Sequence, residues 1–359
     1  MQKSTRIVAI VAVVLVVASA IGYEVYSSSA PNSPCAATNA NQVVPRVGPS
    51  AVRPVEAGSS LPSSEISAPP AGHREFRVTG SGPVIPVVAA ENFWGSLVSQ
   101  LGGNQTSVLS IVTDPNADPH EYEANSSDAI AINDAEFVIV NGVGYDDWAL
   151  QLIGARSAPP QEVLNVGVLN GVSVSGGIVS GNPHMWYNPT YVNRTLAAMY
   201  SDLVAIQPAS TAYFQSNYAS MNVSLGELYG QAAEIKHQFA GTEVASTESI
   251  FVYLANYTNL DLVSPPAFME AIAEGNDPPA QSVVQFQCQL ESGHVVVMVY
   301  NEQTVTPITT SMKAIAAENN VSIVGVTETI QPSSLSFQAW MGAEYVALQN
   351  ALNSKTLGQ

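Results

Sequence analysis

From residue 84 onward the chain alternates short apolar runs with amphipathic stretches. This alternation narrows the choice of fold more than any other feature. Residues 84–90 predict a buried strand, 91–101 a helix closed by Gly102-Gly103, 107–112 a second strand, 127–133 a short helix and 137–141 a third strand. Strand, helix and strand in alternation mean a parallel sheet with helices on its faces. Residues 190–206 read as helical. Beyond Pro208, Ser210 is expected to cap a longer helix that runs to about Ala240 and stops at Gly241. About thirty helical residues span roughly 45 Å, more than one small lobe needs. A second series follows, with strands at 243–247, 295–300 and 322–326 and helices at 250–257, 281–292, 307–319 and 336–352. The fold class expected is α/β: two lobes with parallel-type sheets flanked by helices, joined by a single long backbone helix.

Upstream the texture differs. Lys3 and Arg6 precede an apolar run that ends in Ala18-Ser19-Ala20, the layout of a secretory leader. Extended to Tyr23, the run is also marginally long enough to anchor in a bilayer, and both readings place the remainder outside the cytoplasm. Residues 24–82 are rich in Ser, Pro and Ala and read as a linker. The domains expected are thus a leader or anchor (1–23), a linker (24–82), an N-terminal lobe (83–208), a connecting helix (209–241) and a C-terminal lobe (242–359). A net charge of −18 leaves no basic patch for nucleic acid. Only 11% of residues are charged, and hydroxyls and amides take their place. Six N-x-S/T triplets, at Asn104, Asn125, Asn193, Asn222, Asn256 and Asn320, fit a glycosylated exported surface. A disulfide between Cys35 and Cys288 would tether a tail and would not staple a core.

The chain holds five histidines. Two of them occur in Asp118-Pro119-His120-Glu121-Tyr122-Glu123 and in Asn182-Pro183-His184-Met185-Trp186, about one strand–helix unit apart. Proline fixes the backbone before each ring, and neutral imidazole is the commonest protein ligand for a transition metal. In open α/β sheets ligands bind beyond the carboxyl ends of strands. In the second lobe, Glu248 and Glu328 each follow a predicted strand closely. Two imidazoles and two carboxylates, two from each lobe, make a mixed N/O donor set that suits Zn²⁺, Mn²⁺ or Fe²⁺. Each has a plainer alternative. The histidines fit surface loops, Glu248 the first turn of the next helix, and Glu328 a loop acid. Glu121 and Glu123 are expected to orient the loop or the ring, not to bind metal. His73 falls in the linker, His237 on a solvated helix face, and His294 before a strand in a structural role. Trp94, Trp186 and Trp340 read as core or cleft wall.

These segments, in this order, resemble the solute-binding proteins of zinc/manganese ABC importers across about 84–352. The family's first histidine loop, D-P-H-x-[YF]-E, is matched by 118–123, and its D-P-H-[VI]-W-x-D-P by Asn182-Pro183-His184-Met185-Trp186-Tyr187-Asn188-Pro189. Its S-E-G-A-F-x-Y-F segment is matched by 247–254 and its T-D-S segment by Thr327-Glu328-Thr329. FVIVNGVG at 137–144 is similar to the family's strand after the first ligand loop. Three departures stand out: Asn182 and Asn188 replace aspartates, Glu328 replaces an Asp, and 170–181 lacks a histidine-rich loop.

The resemblance implies an extracytoplasmic, membrane-associated, non-enzymatic protein. It would capture one divalent transition metal at His120, His184, Glu248 and Glu328, deliver it to an ABC permease, and act as a monomer whose lobes move modestly. Two other classes remain, an exported metal-dependent hydrolase and a surface adhesin or scaffold on the same fold. No H-E-x-x-H or recognisable Ser/His/Asp pattern supports the hydrolase. With unperturbed imidazoles, metal affinity would fall below about pH 6, by up to a hundredfold per unit.

Overall fold

The computed structural model describes Cys35 and residues 83–116, 119–173 and 181–356. The expected leader or anchor, the linker apart from Cys35, His73, Asp118 and most of the stretch where a histidine-rich loop was sought lie outside the described residues.

Two four-stranded parallel sheets form the frame. The first holds β1 (Ile85–Glu91), β2 (Thr106–Val112), β3 (Phe137–Val140) and β4 (Glu162–Asn165), in the order β2-β1-β3-β4. The second holds β5 (Glu243–Ser246), β6 (Asp261–Leu262), β7 (Val297–Asn301) and β8 (Ser322–Val326), in the equivalent order β6-β5-β7-β8. The inner strands are apolar at nearly every position and buried on both faces, as helices packed on each side of a parallel sheet require.

The first lobe carries α1 (Asn92–Gly102), α2 (Ser126–Asp134), α3 (Asp147–Gly154), α4 (Val166–Asn170) and α5 (Pro189–Ile206). The long helix is α6, Thr211–Phe239, 29 residues and about 44 Å. The second lobe carries α7 (Val252–Thr258), α8 (Pro266–Ala273), α9 (Ala280–Glu291), α10 (Pro307–Glu318) and α11 (Phe337–Thr356). One apolar core runs from Phe93 and Trp94 on α1, through Leu225, Leu228 and Ile235 on α6, to Trp340 and Tyr345 on α11. Trp94, Trp186 and Trp340 are all buried.

The expected strands and helices form within one or two residues of their predicted bounds, except that the last helix, α11, runs to Thr356, four residues past the expected end at 352. Five elements gave no usable signal: β4, β6, α3, α4 and α8. They are two to eight residues long, too short for a period to register, and both strands lie at sheet edges. Two strand–helix units, β3–α3 and β4–α4, separate His120 from His184, where one was expected. Ser210 takes the N-cap position of α6 but does not cap it with its side chain. Its hydroxyl accepts from Gln207 Nε2 (2.6 Å) and donates to Gln105 Oε1 (3.2 Å). Gly241 ends the helix region as expected, in the left-handed region at φ 81°.

His237 and His294 are exposed, so His294 fills no buried structural role. All six N-x-S/T asparagines are exposed. Cys35 and Cys288 are both disulfide-bonded. Among the described residues no helix is long and apolar enough to cross a membrane.

Candidate metal centre

Strand ends bring the site together. His120 sits in a 3-10 turn, Pro119–Glu121, beyond β2. His184 immediately precedes the turn Met185–Tyr187 that leads into α5. Glu248 lies two residues past β5 and Glu328 two past β8. One donor atom from each of these four residues lies within 4.8 Å of the others. His184 Nε2 is 3.5 Å from His120 Nε2, 3.1 Å from Glu248 Oε1 and 3.8 Å from Glu328 Oε2, and His120 Nε2 is 3.4 Å from Glu328 Oε2. A tetrahedron with bonds near 2.1 Å has edges of about 3.4 Å, so these spacings are those of four donors around one small cation.

Burial and hydrogen bonding set the chemistry. His184, Glu248 and Glu328 are fully buried, while the His120 side chain keeps 17% of its surface. Asn182 Oδ1 accepts from the backbone N–H of His184 (2.9 Å) and lies 2.7 Å from its Nδ1. The proton therefore belongs on Nδ1, and the Nε2 lone pair is aimed at the cluster. Asn182 Nδ2 in turn donates to the Ser249 carbonyl at 2.7 Å, a bond that an aspartate could not make. Asn141, just past β3, donates to the Pro183 carbonyl (2.9 Å) and accepts from the Trp94 indole (3.1 Å), which steadies the histidine segment.

Across the cleft Glu248 Oε1 has no hydrogen-bond partner other than the His184 ring nitrogen 3.1 Å away, and Oε2 accepts from Asn301 Nδ2. Glu328 Oε1 accepts from Asn301 Nδ2 (2.6 Å) and the Thr304 hydroxyl (3.2 Å), and Oε2 accepts from the Tyr145 hydroxyl (2.8 Å). Gln303 Oε1 accepts the backbone N–H groups of Glu328 (2.8 Å) and Thr329 (2.9 Å) and fixes their loop. A buried carboxylate oxygen with no partner is costly unless a cation or a proton meets it. Burial alone would push Glu328 up, but the His120 and His184 rings outweigh it and hold the carboxyl down at about 2. Burial alone would lower His184; the carboxylates of Glu248 and Glu328 outweigh it and raise the ring to about 9. Without metal, a proton thus sits where a cation would.

Aromatic rings wall the cluster. Tyr145 meets His120 edge-on at 4.6 Å, Trp186 meets His184 at 5.1 Å, and Phe93 stacks on Trp186 at 4.1 Å. A cleft of about 400 Å³ opens onto His120, with Glu121, Asn182, Ser249, Glu270 and Glu274 in its walls. Glu121 and Glu123 are both exposed and stand outside the four-residue cluster. The orienting hydrogen bonds described above come instead from Asn182, Asn301, Tyr145 and Gln303. Asn301 could have been found by the same reasoning as the glutamates, since it directly follows the predicted strand 295–300. Tyr145 and Gln303 carry no local signal. Asn188 lies outside the cluster and caps α5, accepting from Thr190 N (2.9 Å) and Tyr191 N (3.4 Å). Asn and Asp serve equally there, so that departure leaves the site untouched.

Residues 87–351 match the sequence profile of ZnuA, described as zinc-uptake complex component A, periplasmic. The chain belongs to this family. ZnuA-family proteins are periplasmic metal solute-binding components of ABC importers, not enzymes. The manganese-binding lipoprotein MntA of Halalkalibacterium halodurans is 25% identical over 164 residues, 44% of this chain and 51% of that protein, so the chain spans about half its length. Two solved structures share the fold. The binding protein FpvC of Pseudomonas aeruginosa, in complex with Mn²⁺, gives a TM-score of 0.63 at 18% identity, covering 76% of this chain and 100% of that one. A laminin-binding protein of Streptococcus agalactiae, described as having adhesin and metal transporting activity, gives 0.62 at 16% identity, covering 74% of this chain and 98% of that one.

Proposed function

We propose that this chain captures one divalent transition metal ion, Zn²⁺ or Mn²⁺, between its lobes and delivers it to an ABC permease. His120, His184, Glu248 and Glu328 are the ligands in this reading. The lobes are residues 83–208 and 242–359, joined by the helix region 209–241. The protein works outside the cytoplasm, held at the membrane by its N-terminal segment. The observation that carries the reading is the convergence of two Nε2 atoms and two carboxylate oxygens within 4.8 Å of one another, one of those oxygens having no hydrogen-bond partner other than the His184 ring. Family membership supports the transport role, and the manganese-binding lipoprotein relative is consistent with membrane attachment.

Elemental analysis of the purified chain after loading and desalting tests it. One equivalent of metal is expected in the wild type, and a large loss in His120→Ala and in His184→Ala. Equal metal content in all three would overturn the ligand assignment. Zn²⁺ is expected to bind in vitro whichever ion is physiological, because it binds most such sites more tightly than Mn²⁺.

A further inference from the structure

Asn301 is the last residue of β7, and β7 lies between β5 and β8 in the second sheet. The two neighbouring strands end just before Glu248 and Glu328, so the Asn301 side chain falls between the two carboxylates. It is fully buried. Its Oδ1 accepts the backbone N–H of Gln303 at 3.0 Å, which fixes the amide so that Nδ2 points at the glutamates. Nδ2 donates to Oε2 of Glu248 and to Oε1 of Glu328. The Thr304 hydroxyl holds the same Glu328 oxygen at 3.2 Å. One oxygen of each carboxylate is thereby held toward Asn301, and the other, which in Glu328 also accepts from the Tyr145 hydroxyl, faces His184 Nε2, at 3.1 Å for Glu248 Oε1 and 3.8 Å for Glu328 Oε2.

We propose that Asn301 sets the metal preference of this site by restricting each glutamate to one donor oxygen. The proposal rests on the metal-binding reading above. With both carboxylates single-donor, the protein offers two nitrogens and two oxygens. Four donors complete the shell of Zn²⁺, whereas Mn²⁺ favours an octahedral, oxygen-rich shell. To supply more oxygens, a carboxylate would have to chelate through both of its own, and here that means turning the second oxygen from Asn301 toward the cluster and weakening a buried hydrogen bond. Three of the four ligands are fully buried, so water cannot easily complete the shell from their side. Asn301 is thus a specificity-determining residue that favours a four-coordinate ion.

Competition titrations of the full chain with Zn²⁺ and with Mn²⁺, at one pH and ionic strength, test this in wild type and Asn301→Ala. One equivalent of each ion should bind to both proteins. The ratio of Zn²⁺ to Mn²⁺ affinity should fall at least tenfold in the variant, about 1.4 kcal/mol. Tyr145→Phe removes a hydrogen bond from the site-facing oxygen of Glu328 and should weaken both ions alike. In a crystal structure of the wild-type Mn²⁺ complex each glutamate should reach the ion through one oxygen. An unchanged ratio in Asn301→Ala with one equivalent still bound overturns the proposal, as does a glutamate chelating through both oxygens in the wild type. If Asn301→Ala does not fold, the wild-type Mn²⁺ structure decides. A wild type that takes up neither ion would instead overturn the metal-binding reading itself.

Discussion

At the scale of single residues, the competitor for metal at this centre is the proton on His184. Two buried carboxylates raise that ring to about 9, whereas an ordinary imidazole titrates near 6.5. Metal needs the neutral ring. Below about pH 9 the metal-free ring is protonated, so binding must release that proton, and affinity falls about tenfold for each unit of acidification from this group alone. The decline expected from unperturbed histidines starts near pH 6; the buried carboxylates move its onset upward, across neutral pH. Dissociation constants measured between pH 7 and pH 9 should therefore tighten by about tenfold per unit. A flat profile over that range would contradict the raised His184. Asn182 makes a further residue-scale case. Asn182→Ala removes the acceptor at Nδ1 and the donor to Ser249 and should weaken metal binding about 10- to 100-fold, the usual cost of losing a partner that orients a ligand. Unchanged affinity would mean that packing alone orients the ring.

At the scale of elements, the long helix carries two glycines that nothing in the fold requires. Gly226 and Gly230 lie in the interior of α6, both exposed, and an added Cβ at either would meet nothing within 4 Å. Glycine inside a helix costs about 0.5–1 kcal/mol relative to alanine, chiefly through the entropy of the unfolded chain. Gly226→Ala and Gly230→Ala should each raise stability by about that amount in denaturant titrations, with metal affinity unchanged. A loss of stability would show that these positions touch something, such as a partner surface, not visible in the isolated chain.

At the scale of the molecule, hydrogen bonds tie the lobes together around the centre. Asn92 and Ile330 exchange two, at 3.3 and 2.8 Å, Tyr253 donates to the Asn182 carbonyl at 2.9 Å, and Gln303 donates to the Asp114 carbonyl at 3.3 Å. With a shared core behind them, these bonds predict no measurable change in radius of gyration when metal is added in solution scattering. A clear contraction would mean that the lobes hinge. Stability of the metal-free chain should also depend on pH in a stated sense. Burial raises Glu344 to about 8 and Asp146 to about 6, against ordinary values of 4.5 and 3.8. A raised carboxyl favours the folded state fully below its unfolded value, and that benefit is lost as pH rises through the folded one. His184 acts in the same direction, from 6.5 to about 9. Glu328, held down at about 2, stabilises above about 4.5 and loses that as pH falls toward 2. The melting temperature without metal should therefore peak near pH 5 and decline toward pH 8. The shift produced by metal should grow over the same range, because metal stabilises only the folded state. A metal-free melting temperature that rises steadily to pH 8 would contradict this.

Much of this protein can be read along the chain. Long buried strands such as Ile85–Glu91 and Val297–Asn301, and the 29-residue α6, announce themselves by period and length. The metal-donor candidates His120, His184, Glu248 and Glu328 stand in short motifs whose order the fold must respect, so their types were legible before their positions. β4, β6, α3, α4 and α8 were not legible, because they are brief and depend on neighbours for their shape. Nor were the roles of the residues behind the ligands. Asn301 matters because it sits 53 residues from Glu248 and 27 from Glu328 along the chain, yet hydrogen-bonds both. Tyr145 reaches Glu328 across 183 residues. Burial, hydrogen-bond partners and the raised proton affinity of His184 are properties of distances between such remote segments. Local pattern encodes which groups a chain carries; only the closed fold decides which of them face each other, and how far from water.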